Sequence, residues 1–226
     1  MGFDFEGFAS GIDRELARDL KEVETPGGLA EALGRTVTAA EEELAARLDA
    51  AEEAHIACKA GCGICCMVNV AVLFPEAVAI VGYLNRHFNK SEAALLKARV
   101  AELYRQIRWL DEEERLFLRQ PCAFLDERGS CSIYPVRPLL CRSVTSIDPE
   151  DCRQAITSPA LGETRSVLMN LFQKTLMEAA FRGVGKALSD AGLDARGMTL
   201  TAAVKHLVDE PEMAQAYLGG AALPSD

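Results

Sequence analysis

Cys58-Lys59-Ala60-Gly61-Cys62-Gly63-Ile64-Cys65-Cys66 sets four thiols and two glycines within nine residues. Metal ligation needs several sulfur atoms converging on one point, about 2.3 Å from a zinc ion. Glycine relieves the backbone strain of wrapping a short loop round that point. Cys122, Cys131, Cys141 and Cys152 supply the other four of the eight cysteines. Disulfides require an oxidising compartment, and Met1-Gly2-Phe3-Asp4-Phe5-Glu6 has no basic region followed by an apolar run. Adjacent Cys65 and Cys66 also make an awkward disulfide pair. Core packing gives no reason for four cysteines in nine positions. The reading is a metal or metal-cluster loop, ahead of thiol redox chemistry and of inert thiols.

Side chains of neighbouring residues diverge in helix and strand alike, so Cys65 and Cys66 serve two metals or bridge them more naturally than they chelate one. Eight thiols satisfy two tetrahedral zinc ions, or one four-cysteine iron-sulfur cluster with four thiols over. Zinc and iron both stay open. Neither cysteine group explains the presence of the other, so the two are expected to meet in space.

The second group needs its own scaffold. Asp126 to Gly129 are turn formers between apolar or β-branched residues, which predicts a small hairpin near residues 122–134. With Glu127 and Arg128 at its tip, Phe124 faces Cys131, and period-two alternation brings Cys122 and Cys131 to one side. Pro135 and Pro138 stop the strand, and Pro138 suits the start of a short turn carrying Cys141. Arg137 and Arg142 flank that thiol. A tetrathiolate zinc carries a net charge of about -2, so both arginines are candidate cofactor contacts, offsetting charge and donating to sulfur or carbonyl oxygen.

The remaining elements read as helices. One is predicted over residues 12–22, ending before Pro26-Gly27-Gly28. Another runs from a Thr38/Glu41 capping box to about residue 57, delivering the chain into Cys58. His55 at its end reads as a partly buried, hydrogen-bonded residue in preference to a nitrogen ligand. His87 and His206 read as structural. Residues 67–73 are short and β-branched, an extended exit from the loop. Pro75-Glu76 opens a helix burying Ala77, Val81, Leu84 and Phe88. Ser91 caps the next, with Leu96, Val100, Leu103, Ile107 and Leu110 as its stripe, and Asp111 with Glu114 restarts it. Tyr104 and Trp109 read as packing residues. Amphipathic stretches follow at residues 164–181, with Leu168 and Leu171 in the stripe, then at 184–191, 200–209 and 211–218.

A chain of 226 residues, 49% hydrophobic and 26% charged, has ordinary globular composition and can bury a sizeable core. The expected fold is mainly α: a single helical domain with a small β-hairpin and a cysteine-rich metal-binding core. Its parts are an N-terminal helical arm (1–37), the cysteine-cluster domain (38–160) and C-terminal helices packed on it (161–226). A net charge of -10 argues against nucleic acid and an anionic membrane surface. No apolar run is long enough to span a bilayer. A cytoplasmic protein whose partners are a metal ion and another protein is the expectation.

The cysteine segment resembles a bacterial and archaeal cysteine-cluster family of zinc- or iron-chelating proteins, with signature C-x3-C-x2-C-C followed by C-x8-C-x-I-Y-x2-R-P-x2-C-R. The matching residues are Cys58, Cys62, Cys65, Cys66, then Cys122, Cys131, Ile133, Tyr134, Arg137, Pro138, Cys141 and Arg142. Cys152 falls outside that pattern. The resemblance implies a metal or iron-sulfur site without naming a reaction; some longer relatives resemble flagellin lysine methylases, and the likeness there is confined to the cysteine module. Three functions compete: a metal-binding protein with a redox or accessory role, an interaction scaffold with structural zinc, and an enzyme using an iron-sulfur cluster. Cys58-x3-Cys62-x2-Cys65 has the spacing of radical-SAM enzymes, but those need a βα barrel that this chain lacks in its pattern. No Gly-rich phosphate loop, G-x-S-x-G or H-E-x-x-H points to another class.

Overall fold

A computed structural model describes residues 2–158 and 165–224. Among them eleven α-helices carry the fold, with two short 3-10 turns and a two-stranded antiparallel sheet. The helices are α1 (Phe5–Leu20), α2 (Pro26–Arg47), α3 (Ala50–His55), α4 (Phe74–His87), α5 (Lys90–Ile107), α6 (Glu112–Leu118), α7 (Leu139–Ser143), α8 (Pro149–Thr157), α9 (Leu171–Asp190), α10 (Leu200–Asp209) and α11 (Met213–Leu218). Among the described residues no helix is long and apolar enough to cross a membrane.

Local chemistry sets most boundaries. Pro26 does not break a helix; it opens α2 at the first turn, where its missing N–H is unneeded, and Thr25 accepts from the Gly28 amide. Thr38 therefore lies inside α2, and that helix stops at Arg47 before Asp49 caps the separate α3. The division drawn between residues 37 and 38 falls within α2. The one between 160 and 161, and the start of the amphipathic stretch at Thr164, lie outside the described residues. Asn89, two residues ahead of Ser91, caps α5 with Glu92, and Asp111 with Glu114 caps α6 as the sequence indicates. Residues 171–181 and the stretch at 184–191 merge into α9, which ends at Asp190, while residues 165–170 are not helical.

The apolar interior has two parts that meet at α4. Phe74, Ile80 and Leu84 pack with Val100 of α5 and Val204 of α10. Leu73 packs on the other side with Ile12 of α1, Leu33 of α2 and Val184 of α9. Gly183 lets α9 approach α1: a Cβ there would stand 2.5 Å from the Ala9 carbonyl oxygen. The cysteine segment enters both parts, since Phe124 and Ile133 are buried in the first and Leu139 in the second. Trp109, by contrast, is 78% exposed with the Arg108 guanidinium over its ring, and Leu168 and Leu171 are exposed as well. These three residues lie outside the core that their stripes suggested.

Candidate metal centre

The loop after α3 is held at both ends. The Ala57 amide donates to the Ser146 carbonyl at 2.8 Å, and beyond the thiols β1 (Ala71–Val72) pairs with β2 (Met198–Thr199). Between them Ile64–Met67 forms a 3-10 turn carrying Cys65 and Cys66. Its three residues per turn separate the two Cβ directions by about 120°. The Cys65 and Cys66 thiols still influence each other's protonation.

The segment 122–134 reverses as expected but has less ladder than a hairpin. A single antiparallel bridge joins Leu125 to Cys131. The Asp126 carboxylate accepts from the Arg128 and Ser130 amides, and Gly129 turns at φ +75°. Gly129 adds a residue to one side of the turn. The register therefore shifts by one, and Leu125 rather than Phe124 stands opposite Cys131.

The two cysteine groups meet. The Cys122 amide donates to the Cys66 carbonyl at 2.7 Å, although 55 positions separate them in sequence. The turn tip lies on the loop so closely that a Cβ on Gly129 would stand 2.6 Å from the Gly61 oxygen. Gly61 itself takes φ +85°. These two glycines are what permit the contact.

Cys62, Cys65, Cys66, Cys122, Cys131 and Cys141 line one cavity of about 120 Å³. A water-sized site needs only about 10–15 Å³ by the same measure, so the space exceeds that of one ion. Cys58 and Cys152 stand outside it. The Cys58 thiol donates to the Ser146 carbonyl at 4.0 Å and lies within electrostatic range of Cys62, Cys65 and Cys152. Cys152 is on α8, which packs against the Ile64–Met67 turn. All eight thiols are free. As placed, no three or more His, Cys, Asp and Glu side chains among the described residues form a finished metal cage. The donors share a cavity without converging on a point.

Burial favours the neutral form of four of these thiols. It pushes Cys122 up to about 11 and raises Cys58, Cys131 and Cys141. Cys66 is raised by its hydrogen bond to Cys65, and Cys65 is lowered by the same bond and by the Arg137 charge.

The two flanking arginines differ. Arg142 is buried and fully engaged: Nε donates to the Arg137 carbonyl at 2.7 Å, Nη2 to the Pro135 carbonyl at 3.1 Å, and Nη1 to Glu41. It binds carbonyls rather than sulfur and ties the turn to α2. Arg137 donates from Nη2 to the Cys141 carbonyl at 2.7 Å and stacks over Tyr134, but its buried Nε has no partner.

Two residues of the site escaped the sequence. Glu76 is 2% exposed, and its carboxylate accepts from the Leu73 amide at 2.9 Å and the Leu139 amide at 2.8 Å. It thereby fixes the first turn of α7, which carries Cys141. Burial pushes its carboxyl up to about 7. The signal available was Pro75-Glu76 at a helix start, which located the carboxylate but not its second partner. Arg115 lines the cavity at 1% exposure, with no signal in its sequence neighbourhood. His55 is exposed, and its Nδ1 donates to the Ala51 carbonyl.

Residues 57–159 match the CxxCxxCC family model, described as "Putative zinc- or iron-chelating domain", over somewhat less than half of the chain. No curated protein and no solved structure matches the chain.

Proposed function

We propose that the CxxCxxCC domain of this chain binds zinc or iron in one composite centre whose donors come from both cysteine groups. The donor set is Cys62, Cys65, Cys66, Cys122, Cys131 and Cys141, with Cys58 and Cys152 as an outer pair beside it. The observation that carries this reading is the convergence of six thiols from two distant segments on one cavity, joined by the Cys122–Cys66 backbone hydrogen bond. The residues fit the group: soft thiols suit zinc and iron-sulfur clusters, and guanidinium groups border the cavity. Zinc supplies a structural cross-link there, and iron an electron-transfer centre with a redox or accessory role.

The protein's own part is to hold the thiols in reach, those still protonated releasing their protons as metal binds. Glu76 and Arg142 hold the turn that carries Cys141, while the Gly61–Gly129 contact holds the loop against the hairpin turn. The radical-SAM spacing has no support beyond itself, since among the described residues the sheet consists of two strands of two residues each.

Metal analysis with an optical spectrum of protein purified without oxygen tests the reading. Bound zinc in a colourless protein supports a structural centre, and iron with a brown absorption supports a redox one. Protein carrying neither metal, and taking up neither when reduced and supplied with each, overturns the proposal.

A further inference from the structure

A short helix on a protein surface normally turns its apolar residues inward. α6 departs from this: Phe117 is 50% exposed and Leu118 37%, Leu116 is half-buried, and the most deeply buried residue of the helix is Arg115, at 1%. The Asp111/Glu114 capping box and the left-handed Arg119 at its end fix the helix in this orientation. Packing gives no reason to choose a guanidinium over an apolar side chain at this position.

Burying a charge without partners is costly, and native structures pair such groups. Arg115 Nε and Nη1 are buried and make no hydrogen bond. Among the described residues, four buried side-chain nitrogen or oxygen atoms lack a partner. Two are on Arg115 and one is Arg137 Nε, and both arginines line the thiol cavity. The fourth is His206 Nε2. Cys122 lines the same cavity as Arg115. Arg142, in contrast, has its three nitrogens committed to Glu41 and backbone carbonyls.

We infer that Arg115 and Arg137 are the charge-balancing pair of the thiolate centre, with Arg115 donating from the cavity wall to the metal-bound sulfurs. This rests on the proposed metal binding. Two guanidinium groups carry +2, which matches the roughly -2 of a divalent metal held by four of the six thiols as thiolates. The unpartnered donors then acquire acceptors when thiols become thiolates. In the metal-free protein Arg115 is a liability; in the loaded protein it is a stabilising contact.

That reversal of sign separates the inference from a packing role. Arg115→Met and Arg115→Lys are compared with wild type in two measurements: melting of metal-free protein, and zinc affinity by competition with a chromophoric chelator. Arg115→Met should melt above wild type when metal-free, yet bind zinc roughly 10–100-fold more weakly, the range for residues that support ligands from outside. Arg115→Lys keeps the charge and should stay within about tenfold of wild type, a difference of 1.4 kcal/mol or less. An Arg115→Met protein that binds zinc like wild type overturns the inference while leaving the metal centre standing, as does failure of both variants to fold. Wild type that binds no metal ends the parent reading and this one together. Inorganic phosphate is the control: if it raises the melting temperature of loaded wild type but not of loaded Arg115→Met, the arginine anchors a separate anion and the inference is overturned.

Discussion

Leu139 and Cys141 sit two residues apart on α7 and belong to interiors of opposite kind. Leu139 enters the apolar packing of α1, α2 and α9, where Leu188 and Val184 are fully buried. Cys141 enters a cavity lined by thiols and bordered by arginines with unpartnered donors. The first interior is complete without any further component. The second satisfies its polar groups only when something draws the thiols to their charged form. On the proposed reading, a preformed scaffold presents a centre whose charges balance when metal arrives.

The comparison predicts that substitutions divide by whether their effect needs metal. The largest effect belongs to Cys131→Ser, which removes a donor opposite the loop. Its metal affinity should fall by more than the roughly 100-fold limit of outer-shell changes, measured by chelator competition, with little change in the metal-free melting temperature. Leu84→Ala is the opposite case: Leu84 is fully buried in the scaffold. The loss should be about 2–5 kcal/mol in denaturant unfolding, equal in metal-free and loaded protein. Similar metal dependence for both variants would dissolve the distinction between the two interiors.

Arg142→Ala lies between them. Removing its donors leaves the Pro135 and Arg137 carbonyls short of partners, at about 1–3 kcal/mol for each that stays buried. That loss should appear in both states, because Arg142 ties the turn to α2 whether or not metal is bound. Glu76 gives a pH signature in metal-free protein. Its carboxyl is raised from 4.5 unfolded to about 7 folded. The folded chain therefore holds the proton more tightly between those values. The stability it contributes is full below about pH 4.5 and is lost as pH rises through about 7. Glu76→Gln should flatten that part of a plot of melting temperature against pH, and an unchanged slope would remove Glu76 from the account. The smallest effect is expected for Cys152→Ser, outside the cavity, with less than a tenfold change in metal affinity, below about 1.4 kcal/mol.

Much of the scaffold was legible because each signal was local. The Asp111/Glu114 capping box and the Leu96, Val100, Leu103 and Ile107 stripe appear in α6 and α5 as read. Pro26 misled because proline both ends a helix and suits its first turn, and only the Thr25 cap decides between them. The meeting of the cysteine groups was legible from their clustering. The one-residue register shift at Gly129 was not, since glycine there fits several turn geometries. Glu76 acts through Leu139, far along the chain, and Arg115 lines a cavity whose other walls come from distant segments. Periodicity carries no information about such pairs, so a buried charge in an otherwise ordinary amphipathic stretch gives no warning.

The central claim is that both cysteine segments close on one centre, and alkylation of thiols in metal-loaded and chelator-treated protein, read by mass spectrometry at each cysteine, tests it most directly. The account predicts that Cys62, Cys65 and Cys66 are protected by metal together with Cys131, and become reactive together when metal is removed, while Cys58 and Cys152 change little. Protection confined to the residues of one segment, with the other equally reactive in both states, would contradict it.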